Sequence, residues 1–416
     1  MRVLFVGSNL IGDNSATGNT IYNITKNIDE IEILQYCIDY DPQYHIQIYK
    51  TLFEDRNANL FFYIIKKMYR KAFKISPDQS KNEGATQRNQ GKTYKLKMFL
   101  RMLMDNIPHH IGERKKDIVE FNPDIIYSLC GDITNLCVVE KICRITTAPL
   151  VIHFMDDWYN TEYTSSRVLL PSKRRIRCLT DRIIRKHTKI NLCISEKMAK
   201  EYTNRFHSEF SYAMNSIDSL HFEKKVYCSP YRIVFSGGLH GGRNVTLLKF
   251  AKAIKNDPIL KNCIELHVFT SSGCFERYST DLKEYVTMHQ YVPADSYFQN
   301  LQQADFLLHV ESFDEDDINF FKYSLSTKIP EYLSVGRPII CYGPKNVGTV
   351  EYLNNRKLGI VSDDVEELII QLKAVIGNDS LIDEISHRCV ECAKNHLSSE
   401  VSLSVYNVFK KAVRSK

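Results

Sequence analysis

Short continuous runs of hydrophobic residues recur along the chain and alternate with segments in which apolar residues follow helical spacing. Continuous apolar runs are typical of parallel strands that helices cover on both faces. The predicted strands are Val3–Val6, Ile33–Ile38, Ile125–Leu129, Leu150–Met155, Ile190–Ile194, Ile233–Ser236, Ile264–Phe269, Phe306–Val310, Pro338–Tyr342 and Gly359–Val361. Amphipathic stretches lie between them, among them Val245–Ile254, Asp295–Gln303 and Val365–Val375. Repeated βα units of this kind predict doubly wound sheets.

The series of strands restarts at Tyr231, after a polar connection that runs from Ser216 to Pro230. A chain of 416 residues fits two domains of ordinary size. We therefore expect two tandem Rossmann-like domains that face each other across a cleft, where ligands of such folds bind. The predicted boundaries are 1–218 for the first domain, with a basic insertion around 60–110, and 219–395 for the second. A helix within 396–416 is expected to pack back on the first domain.

Composition is that of a soluble globular protein, with 44% hydrophobic and 25% charged residues. No apolar run is long enough for a membrane-spanning helix, and the first apolar run is too short for a signal peptide. The twelve cysteines are scattered and indicate reduced core residues. These features predict a cytoplasmic protein. The polar segment Ser76–Gly91 is expected to be a mobile loop.

Basic charge is concentrated in the first half of the chain. Residues 66–101 carry 11 Lys and Arg against Asp78 and Glu83, and residues 172–189 carry eight against Asp181 alone. In the first stretch the basic residues flank an amphipathic helical pattern, which is compatible with peripheral contact to anionic lipid headgroups. A solvated basic face over a packed core explains the pattern equally well. No nucleic-acid-binding module accompanies the charge, so nucleic acid is not expected as a partner.

Two glycine-rich segments follow predicted strands. In the first domain, Gly7 and Gly12 precede a helix-like run that opens with Gly18. In the second, four glycines between Gly237 and Gly242 lead to Arg243 at the start of a helix. Glycines let backbone N–H groups approach an anion, and a guanidinium group binds phosphate well. Neither spacing matches a dinucleotide or P-loop fingerprint, and each segment is also compatible with a plain turn.

The most informative segment runs from Tyr323 to Ile340. Ser326 and Thr327 are predicted to cap a helix whose first turn carries Lys328 and Glu331. Hydroxyl groups, backbone donors and an ammonium group would then converge on one anion. Glu331, about one turn later, is an acceptor suited to a pair of ribose hydroxyls. The alternative is a capped helix with a surface lysine.

These motifs resemble the donor half of retaining GT-B glycosyltransferases of the family 4 group. The resemblance rests on Gly237-Gly238-Leu239 followed by Arg243, on Ser326-Thr327-Lys328, and on Glu331-x4-Gly336-x-Pro338. It extends from about residue 190 to the C-terminus and is only loose in the first half. The resemblance implies a GT-B fold and transfer of a sugar, with retention, from a nucleotide-diphosphate sugar such as a UDP-sugar.

The resemblance also implies roles for individual residues. Glu331 corresponds to the second glutamate of the E-x7-E pattern, which binds the ribose, and Arg243 to the residue that neutralises the diphosphate. The first glutamate of that pattern falls on Tyr323, and the arginine usual after the first glycine falls on Gly238; Lys328 can supply the missing charge. The expected donor-binding set is Gly18, Gly237, Gly238, Arg243, Val292, Ser326, Thr327, Lys328 and Glu331.

The first domain offers candidate catalytic residues at the end of the strand Leu150–Met155. The family usually carries a histidine or an acid there, in contact with the transferred sugar, so His153 and Asp156 are the candidates. A structural role for His153 remains the alternative. The acidic run 314–317 contains a D-x-D spacing. Cationic side chains would nevertheless neutralise the diphosphate, so neither a metal nor another cofactor is expected.

The sequence thus predicts a glycosyltransferase of polysaccharide or glycoconjugate synthesis. Its expected partners are a nucleotide-sugar donor and a glycan or lipid-linked acceptor, with peripheral contact to the inner face of the plasma membrane through residues 66–101. Two alternatives stay open. One is a nucleotide-sugar epimerase of the same architecture, and the other is a non-catalytic protein that binds nucleotide sugars.

Overall fold

The computed structural model of the protein describes residues 1–12, 15–38, 48–73 and 92–414. The loop predicted at Ser76–Gly91 lies outside these residues, as does the middle of the basic stretch 66–101. The chain forms two α/β units. Unit 1 comprises residues 1–214 and 401–416, and unit 2 comprises residues 215–400. No helix among the described residues combines the length and apolar character needed to cross a bilayer.

Unit 1 is built on a seven-stranded sheet in which all neighbouring strands are parallel. The strands are β1 (Arg2–Gly7), β2 (Glu32–Cys37), β3 (Lys50–Phe53), β4 (Ile125–Ser128), β5 (Leu150–Phe154), β6 (Ile190–Cys193) and β7 (Glu209–Tyr212). Their order is β3-β2-β1-β4-β5-β6-β7. Every residue of β4, β5 and β6 is buried, because helices cover both faces of the sheet.

Among the described residues of unit 1, eight α-helices connect these strands or follow them. They are α1 (Ala16–Thr25), α2 (Leu60–Ala72), α3 (Lys92–Asp105), α4 (Arg114–Phe121), α5 (Ile133–Thr146), α6 (Trp158–Thr161), α7 (Leu170–His187) and α8 (Glu196–Phe206). Several begin at side chains that accept a backbone N–H of the first turn. Asp132 caps α5 and Ser195 caps α8 in this way. Such caps satisfy donors that have no partner inside the helix.

Unit 2 repeats the architecture with six parallel strands in the order β10-β9-β8-β11-β12-β13. The strands are β8 (Tyr231–Ser236), β9 (Ile264–Thr270), β10 (Thr287–Gln290), β11 (Phe306–Val310), β12 (Ile339–Tyr342) and β13 (Gly359–Ser362). The helices are α9 (Arg243–Asn256), α10 (Ser272–Leu282), α11 (Ala294–Gln302), α12 (Glu315–Phe321), α13 (Ile329–Ser334), α14 (Gly348–Asn355), α15 (Val365–Val375) and α16 (Asp379–Lys394).

A last helix, α17 (Ser398–Arg414), returns to unit 1. Its apolar side packs into the core beneath the first sheet, with Val405, Phe409 and Ala412 all buried. The ring of Phe409 meets that of Tyr127 on β4 at a centroid distance of 5.2 Å. Residues 401–412 therefore belong to the hydrophobic core of unit 1, which residues 1–214 otherwise form.

All ten strands predicted from apolar runs are observed. Three further strands, β3, β7 and β10, each lie at an edge of a sheet. In both units the strand order reverses beside the first strand, between β1 and β4 and between β8 and β11. Ligands of doubly wound sheets bind at the carboxyl ends of the strands at such a switch point. In unit 2, this rule directs attention to the residues that follow β8 and β11, which are the expected ligand-binding positions.

Candidate functional site

The glycine loop 237–242 leaves β8 at the carboxyl edge of the unit 2 sheet. Its first residue, Gly237, donates its N–H to Phe269 O at 3.0 Å and accepts a 2.8 Å hydrogen bond from Thr270 Oγ1. Gly242 has a left-handed φ of 69°, and a Cβ there would lie 2.3 Å from Ser312 Oγ. The last position of the loop therefore requires glycine for both its conformation and its space. Gly238, beside Gly237, is only half-buried.

Arg243 begins α9 directly after this loop, and Glu311 directly follows β11. Arg243 donates to Glu311 Oε2 through Nε at 3.1 Å and Nη2 at 2.8 Å, while His309 Nε2 lies 2.8 Å from Oε1. The guanidinium group also lies 4.9 Å from the ring centre of Phe321. Burial alone would raise the pKa of Glu311, but Arg243 and His309 outweigh it and hold that pKa at about 2.

This arrangement fixes the Arg243 guanidinium without enclosing it. The side chain of Glu311 is 3% exposed, whereas that of Arg243 is 22% exposed. A guanidinium group has five N–H donors, and Glu311 uses those on Nε and Nη2. A partly exposed, pre-oriented arginine at the switch point of a parallel sheet is suited to binding a phosphate group.

Lys328 and Glu331 form a second cluster, at the start of α13. Lys328 Nζ lies 3.1 Å from Glu331 Oε2, and Tyr297 of α11 donates its hydroxyl to the same oxygen at 2.6 Å. The ammonium group also lies 4.8 Å from the ring centre of Tyr297. Burial, followed by the charge of Glu331, raises the pKa of Tyr297. Tyr297 therefore stays protonated and acts as a donor to the carboxylate.

The two clusters are connected through the last residue of β8. Ser236 donates its N–H to the hydroxyl of Tyr332 at 2.8 Å, and that hydroxyl donates to Ser236 O at 3.2 Å. Tyr332 follows Glu331 on α13 and is fully buried. A buried tyrosine thus attaches the helix that carries Glu331 to the strand that leads into the glycine loop.

Ser326 and Thr327 do not cap α13 with their side chains, as the sequence had indicated. Lys328 occupies the N-cap position, and no side-chain hydrogen bond caps the helix. The backbone of the preceding segment is held elsewhere: Ser326 donates its N–H to Thr349 Oγ1 at 2.9 Å, and Thr327 O accepts from Asn215 Nδ2 at 2.8 Å. The capping prediction is wrong: α13 starts at Ile329, and the Ser326 hydroxyl accepts the N–H of Lys328, at 3.5 Å, before the helix begins.

Val292 lies on the connection between β10 and α11 and is half-buried. The neighbouring Tyr291 donates its N–H to Thr270 O at 2.9 Å, at the carboxyl end of β9. Val292 is therefore placed at the same edge of the sheet as the glycine loop. The donor-site candidates of the second domain lie at this edge, in the segment 326–328 that leads into α13, or on α13 itself.

A cysteine–histidine pair flanks the glycine loop. His240 Nε2 of the loop lies 3.1 Å from Cys274 Sγ of α10. Burial opposes the thiolate form of Cys274, but the hydrogen bond from His240 outweighs it and lowers the thiol pKa to about 6. The same contact raises the pKa of His240. Both shifts favour the thiolate–imidazolium form of the pair over the neutral form.

Two carboxylates of the acidic run 314–317 have structural contacts. Asp314 caps α12 by accepting the N–H of Asp316. Asp317 is buried against the glycine loop, with Oδ2 3.4 Å from the position of a Cβ on Gly242. Within the described ranges, no three His, Cys, Asp or Glu side chains are grouped so that they could hold a metal ion.

In unit 1, His153 lies on the interior strand β5 and its side chain is buried. Its side chain has no exposed surface, Nδ1 lies 2.7 Å from the hydroxyl of Tyr127, and Nε2 lies 3.0 Å from Ala213 O. Burial lowers the pKa of His153 to about 4, so the ring is neutral at physiological pH. Both ring nitrogens are engaged within the unit. These contacts favour the structural role that the sequence left open over contact with a substrate.

Asp156 and Gly18 have different surroundings. Asp156 follows β5 and is half-buried, whereas its neighbour Asp157 is buried and accepts hydrogen bonds from Tyr202 and Arg205. Gly18 is buried within α1, where its N–H donates to Ser15 Oγ at 2.9 Å. That hydrogen bond caps α1, so the N–H of Gly18 is not available to an anion in this conformation.

Several residues of the unit 2 site escaped the sequence analysis. Tyr297, Phe321 and Cys274 come from three different helices and meet the predicted residues only in the folded unit. Glu311 directly follows a predicted strand, a position that makes it a candidate cleft residue but assigns it no role. Its position directly after an apolar run was the one signal available, because the pairing with Arg243 spans 68 positions.

No family model and no curated protein sequence matches the chain. Solved structures do. HepE from Anabaena in complex with UDP aligns over 99% of this chain and 100% of its own, with a TM-score of 0.61 at 13% identity. The chain has the GT-B fold. Sucrose-phosphate synthase from Thermosynechococcus elongatus covers all of both chains with a TM-score of 0.63 at 11% identity. TarM from S. aureus covers 98% of this chain and 99% of its own, with a TM-score of 0.61 at 11% identity.

The GT-B fold predicted from the sequence is thus confirmed, with two Rossmann-like units of seven and six strands. Further structures show what these neighbours bind: HepE was also solved with UDP-glucose and with UDP and glucose, and the TarM structure contains UDP. At such low identity the likeness establishes the fold of this chain.

Proposed function

We propose that the protein is a glycosyltransferase that moves a sugar from a nucleotide-diphosphate sugar to a glycan or lipid-linked acceptor. The observation that carries the proposal is the Arg243–Glu311 pair at the switch point of unit 2. It places a fixed, partly exposed cation where doubly wound folds bind the phosphates of their ligands. The Lys328–Glu331–Tyr297 cluster adds a second cation and a carboxylate on an adjacent helix.

Each cluster has a defined task in this proposal. Arg243 and Lys328 neutralise the donor diphosphate, with Gly237, Gly238, Val292, Ser326 and Thr327 lining the phosphate and base side. Glu331 accepts hydrogen bonds from the ribose hydroxyls, and Tyr297 orients its carboxylate. As the glycosidic bond breaks, negative charge develops on the diphosphate, so fixed cations there stabilise the transition state more than the ground state.

UDP is the proposed nucleotide, because HepE and TarM, which share the fold, were solved with UDP. We propose that donor binding needs no metal, since two cationic side chains are available for the diphosphate. The match of Arg243, Lys328 and Glu331 to the family 4 pattern supports retention of configuration and membership of that group.

On the acceptor side, Asp156 is the proposed contact to the transferred sugar. It follows β5 and remains half-buried, unlike His153. The proposed setting is the cytoplasm, in polysaccharide or glycoconjugate synthesis. All twelve cysteines are free, including the exposed Cys178 and Cys228, as is usual in a reducing compartment.

A calorimetric panel of UDP, GDP and ADP and their glucose conjugates, each with and without EDTA, tests the donor proposal. We expect saturable binding of UDP that EDTA does not change. Arg243→Gln and Glu331→Gln should each weaken this binding at least about tenfold, or about 1.4 kcal/mol. Lys261→Gln and Glu276→Gln, at exposed positions of the same unit, are the matched controls. Failure of every nucleotide to bind would refute the proposal.

Turnover separates the enzyme classes. A glycosyltransferase incubated with its UDP-sugar releases UDP as the sugar is transferred to an acceptor or to water. Formation of an isomeric UDP-sugar with the nucleotide intact would identify an epimerase instead. Tight donor binding with neither product, across a panel of glycan and lipid-linked acceptors, would identify a binding protein.

A further inference from the structure

Helices α2 and α3 of unit 1 carry an unusual share of exposed apolar side chains. Of the nineteen large hydrophobic residues that are exposed in the described part of the chain, seven lie on these two helices. They are Leu60, Phe61, Ile64 and Met68 on α2, and Leu96, Phe99 and Leu103 on α3, with exposed fractions between 43% and 66%. The two helices also contact each other. We call the surface formed by these seven residues the α2–α3 face.

The α2–α3 face is presented by helices whose opposite sides are anchored. On α2, Phe62 is buried, and its ring packs edge-on against that of His109 at 4.3 Å. Tyr63 donates its hydroxyl to Glu54 Oε2 at 2.9 Å, and Glu54 Oε1 lies 2.7 Å from His109 Nδ1 in a fully buried pair. On α3, Met98 is buried. The exposed stripe therefore lies on the side of each helix that faces away from the core.

The spacing of the exposed residues follows single helix faces. Positions 60, 64, 67, 68 and 71 of α2 recur at three- and four-residue intervals, as do positions 96, 99 and 103 of α3. Two of these positions, Lys67 and Lys71, are exposed lysines. Each helix thus presents an apolar stripe outward, and on α2 the stripe carries cationic groups on the same side.

The charge of the α2–α3 face has one sign. Residues 60–73 contain Lys66, Lys67, Arg70 and Lys71 and no acid, and α3 carries four basic residues against a single acid, Asp105, at its last position. Lys67 and Lys71 form no ion pair with any residue in the described part of the chain. Lys67 and Lys71 therefore add positive charge beside the apolar stripe of α2 with no ion-pair partner among the described residues, whereas Arg101 of α3 is paired with Glu162.

We infer that the α2–α3 face docks on an anionic lipid surface. Apolar side chains at the centre of an amphipathic helix enter the headgroup boundary, while lysines beside them meet lipid phosphates. A second copy of the chain fits less well, because a symmetric contact would bring the same uncompensated lysines together. The inference goes beyond the proposed function and does not depend on donor chemistry; a lipid-linked acceptor would be reached from such a position.

Sedimentation of the full-length protein with sucrose-loaded vesicles tests this inference. At about 0.1 M salt, we expect the partition coefficient to be about tenfold or more higher for vesicles containing about 30% phosphatidylglycerol than for pure phosphatidylcholine. Phe61→Ser with Met68→Ser, and separately Lys67→Glu with Lys71→Glu, should each lower binding to the anionic vesicles by about tenfold. Both pairs change exposed side chains, and melting curves verify that the variants remain folded.

Matched double variants on unit 2 serve as controls. Val226→Ser with Ile370→Ser removes two apolar groups that are likewise exposed, and Lys224→Glu with Lys261→Glu reverses the charges of two exposed lysines. Both should bind vesicles as the unaltered protein does. Equal binding to neutral and anionic vesicles, no binding, or normal binding by the α2 variants would overturn the inference. So would concentration-dependent dimerisation that Phe61→Ser with Met68→Ser abolishes, which would assign the face to a second copy.

Calorimetry with UDP on the same variants keeps the two proposals apart. The α2 variants should bind UDP with unchanged affinity, because Arg243, Lys328 and Glu331 all belong to unit 2. Loss of vesicle binding with intact UDP binding therefore concerns the α2–α3 face alone. Vesicle binding by a protein that binds no nucleotide would leave this inference standing and refute the proposed function.

Discussion

Arg243 places two N–H donors, on Nε and Nη2, on a single carboxylate oxygen of Glu311. The other carboxylate oxygen lies 2.8 Å from His309 Nε2, so the side chain of Glu311 is itself held in place. The two hydrogen bonds from Arg243 to this fixed carboxylate set the orientation of the guanidinium group. The fork geometry, as well as the charge, is thus built into the site. Lysine has the charge but not the fork.

Replacing Arg243 by lysine separates orientation from charge. We expect Arg243→Lys to weaken UDP binding about tenfold, or about 1.4 kcal/mol, because an ammonium group cannot bond Glu311 and a diphosphate in the same fixed geometry. Titration calorimetry measures the effect, with Lys261→Gln as the control. Unchanged affinity in Arg243→Lys would show that only the charge of residue 243 matters.

The ribose assignment of Glu331 predicts a discrimination between sugars. The unaltered protein should bind UDP about tenfold more tightly than 2′-deoxy-UDP, since the missing hydroxyl leaves the carboxylate with one hydrogen bond fewer. Glu331→Gln should bring the two affinities closer together. Tyr297→Phe, which removes the hydroxyl 2.6 Å from Glu331 Oε2, should have a smaller effect in the same direction.

Competition between the two nucleotides in one calorimetric experiment gives this ratio directly, and Glu276→Gln is the matched control. Should Glu331→Gln keep the preference of the unaltered protein for UDP, the ribose would have to be bound elsewhere.

The buried His153 predicts a pH dependence of stability. Its pKa is lowered from 6.5 to about 4 in the folded unit, so between these values only the unfolded chain carries the proton. The free energy of unfolding is therefore unaffected by titration of His153 above pH 6.5, and it decreases as the pH falls from 6.5 toward 4. The contribution to the slope of the unfolding free energy should be about 1.4 kcal/mol per pH unit within this window.

Urea unfolding followed by the fluorescence of Trp158 measures this slope, because Trp158 is the single tryptophan and stacks on Phe154 in unit 1. His153→Gln cannot titrate, so its slope between pH 6.5 and 4 should be correspondingly shallower. Identical slopes for the two proteins would contradict the linkage. If catalysis required a protonated His153, by contrast, His153→Gln would lose most of its activity at pH 5.

The pair formed by Cys274 and His240 predicts a thiolate at neutral pH. The absorbance difference at 240 nm between the unaltered protein and Cys274→Ser should titrate with a midpoint near pH 6, the lowered pKa of Cys274. His240→Asn removes the hydrogen-bond partner 3.1 Å away and should move that midpoint upward by more than one pH unit. A midpoint near 9 in the unaltered protein would contradict the pair.

The interior of both sheets could be predicted from the sequence because interior strands are buried on both faces. Continuous apolar runs such as those of β5 and β11 follow from that burial. The three strands that escaped prediction, β3, β7 and β10, are edge strands with one or two exposed residues each and few buried ones. Half of the side chains at an edge meet solvent, so their sequences carry no continuous apolar run.

The candidate site was predictable to the extent that it is local in sequence. The segment from Ser326 to Glu331 and the loop before Arg243 each carry their chemistry within a few residues. The pairing of Arg243 with Glu311, and of Glu331 with Tyr297, depends on which strand ends become neighbours. His153 has its Nε2 partner in Ala213 O, 60 positions away in the sequence. No local pattern therefore distinguishes this buried histidine from an exposed one.

The position of α17 has a consequence for how the protein is made. Val405 and Phe409 belong to the core of unit 1, yet a ribosome adds them only after residues 215–400 of unit 2. At ordinary rates of translation that delay is roughly 10–40 s. During this interval the emerging first unit has an open apolar groove beside Tyr127, and unit 2 can complete its own core first. The first unit therefore cannot complete its core until synthesis has passed the end of unit 2.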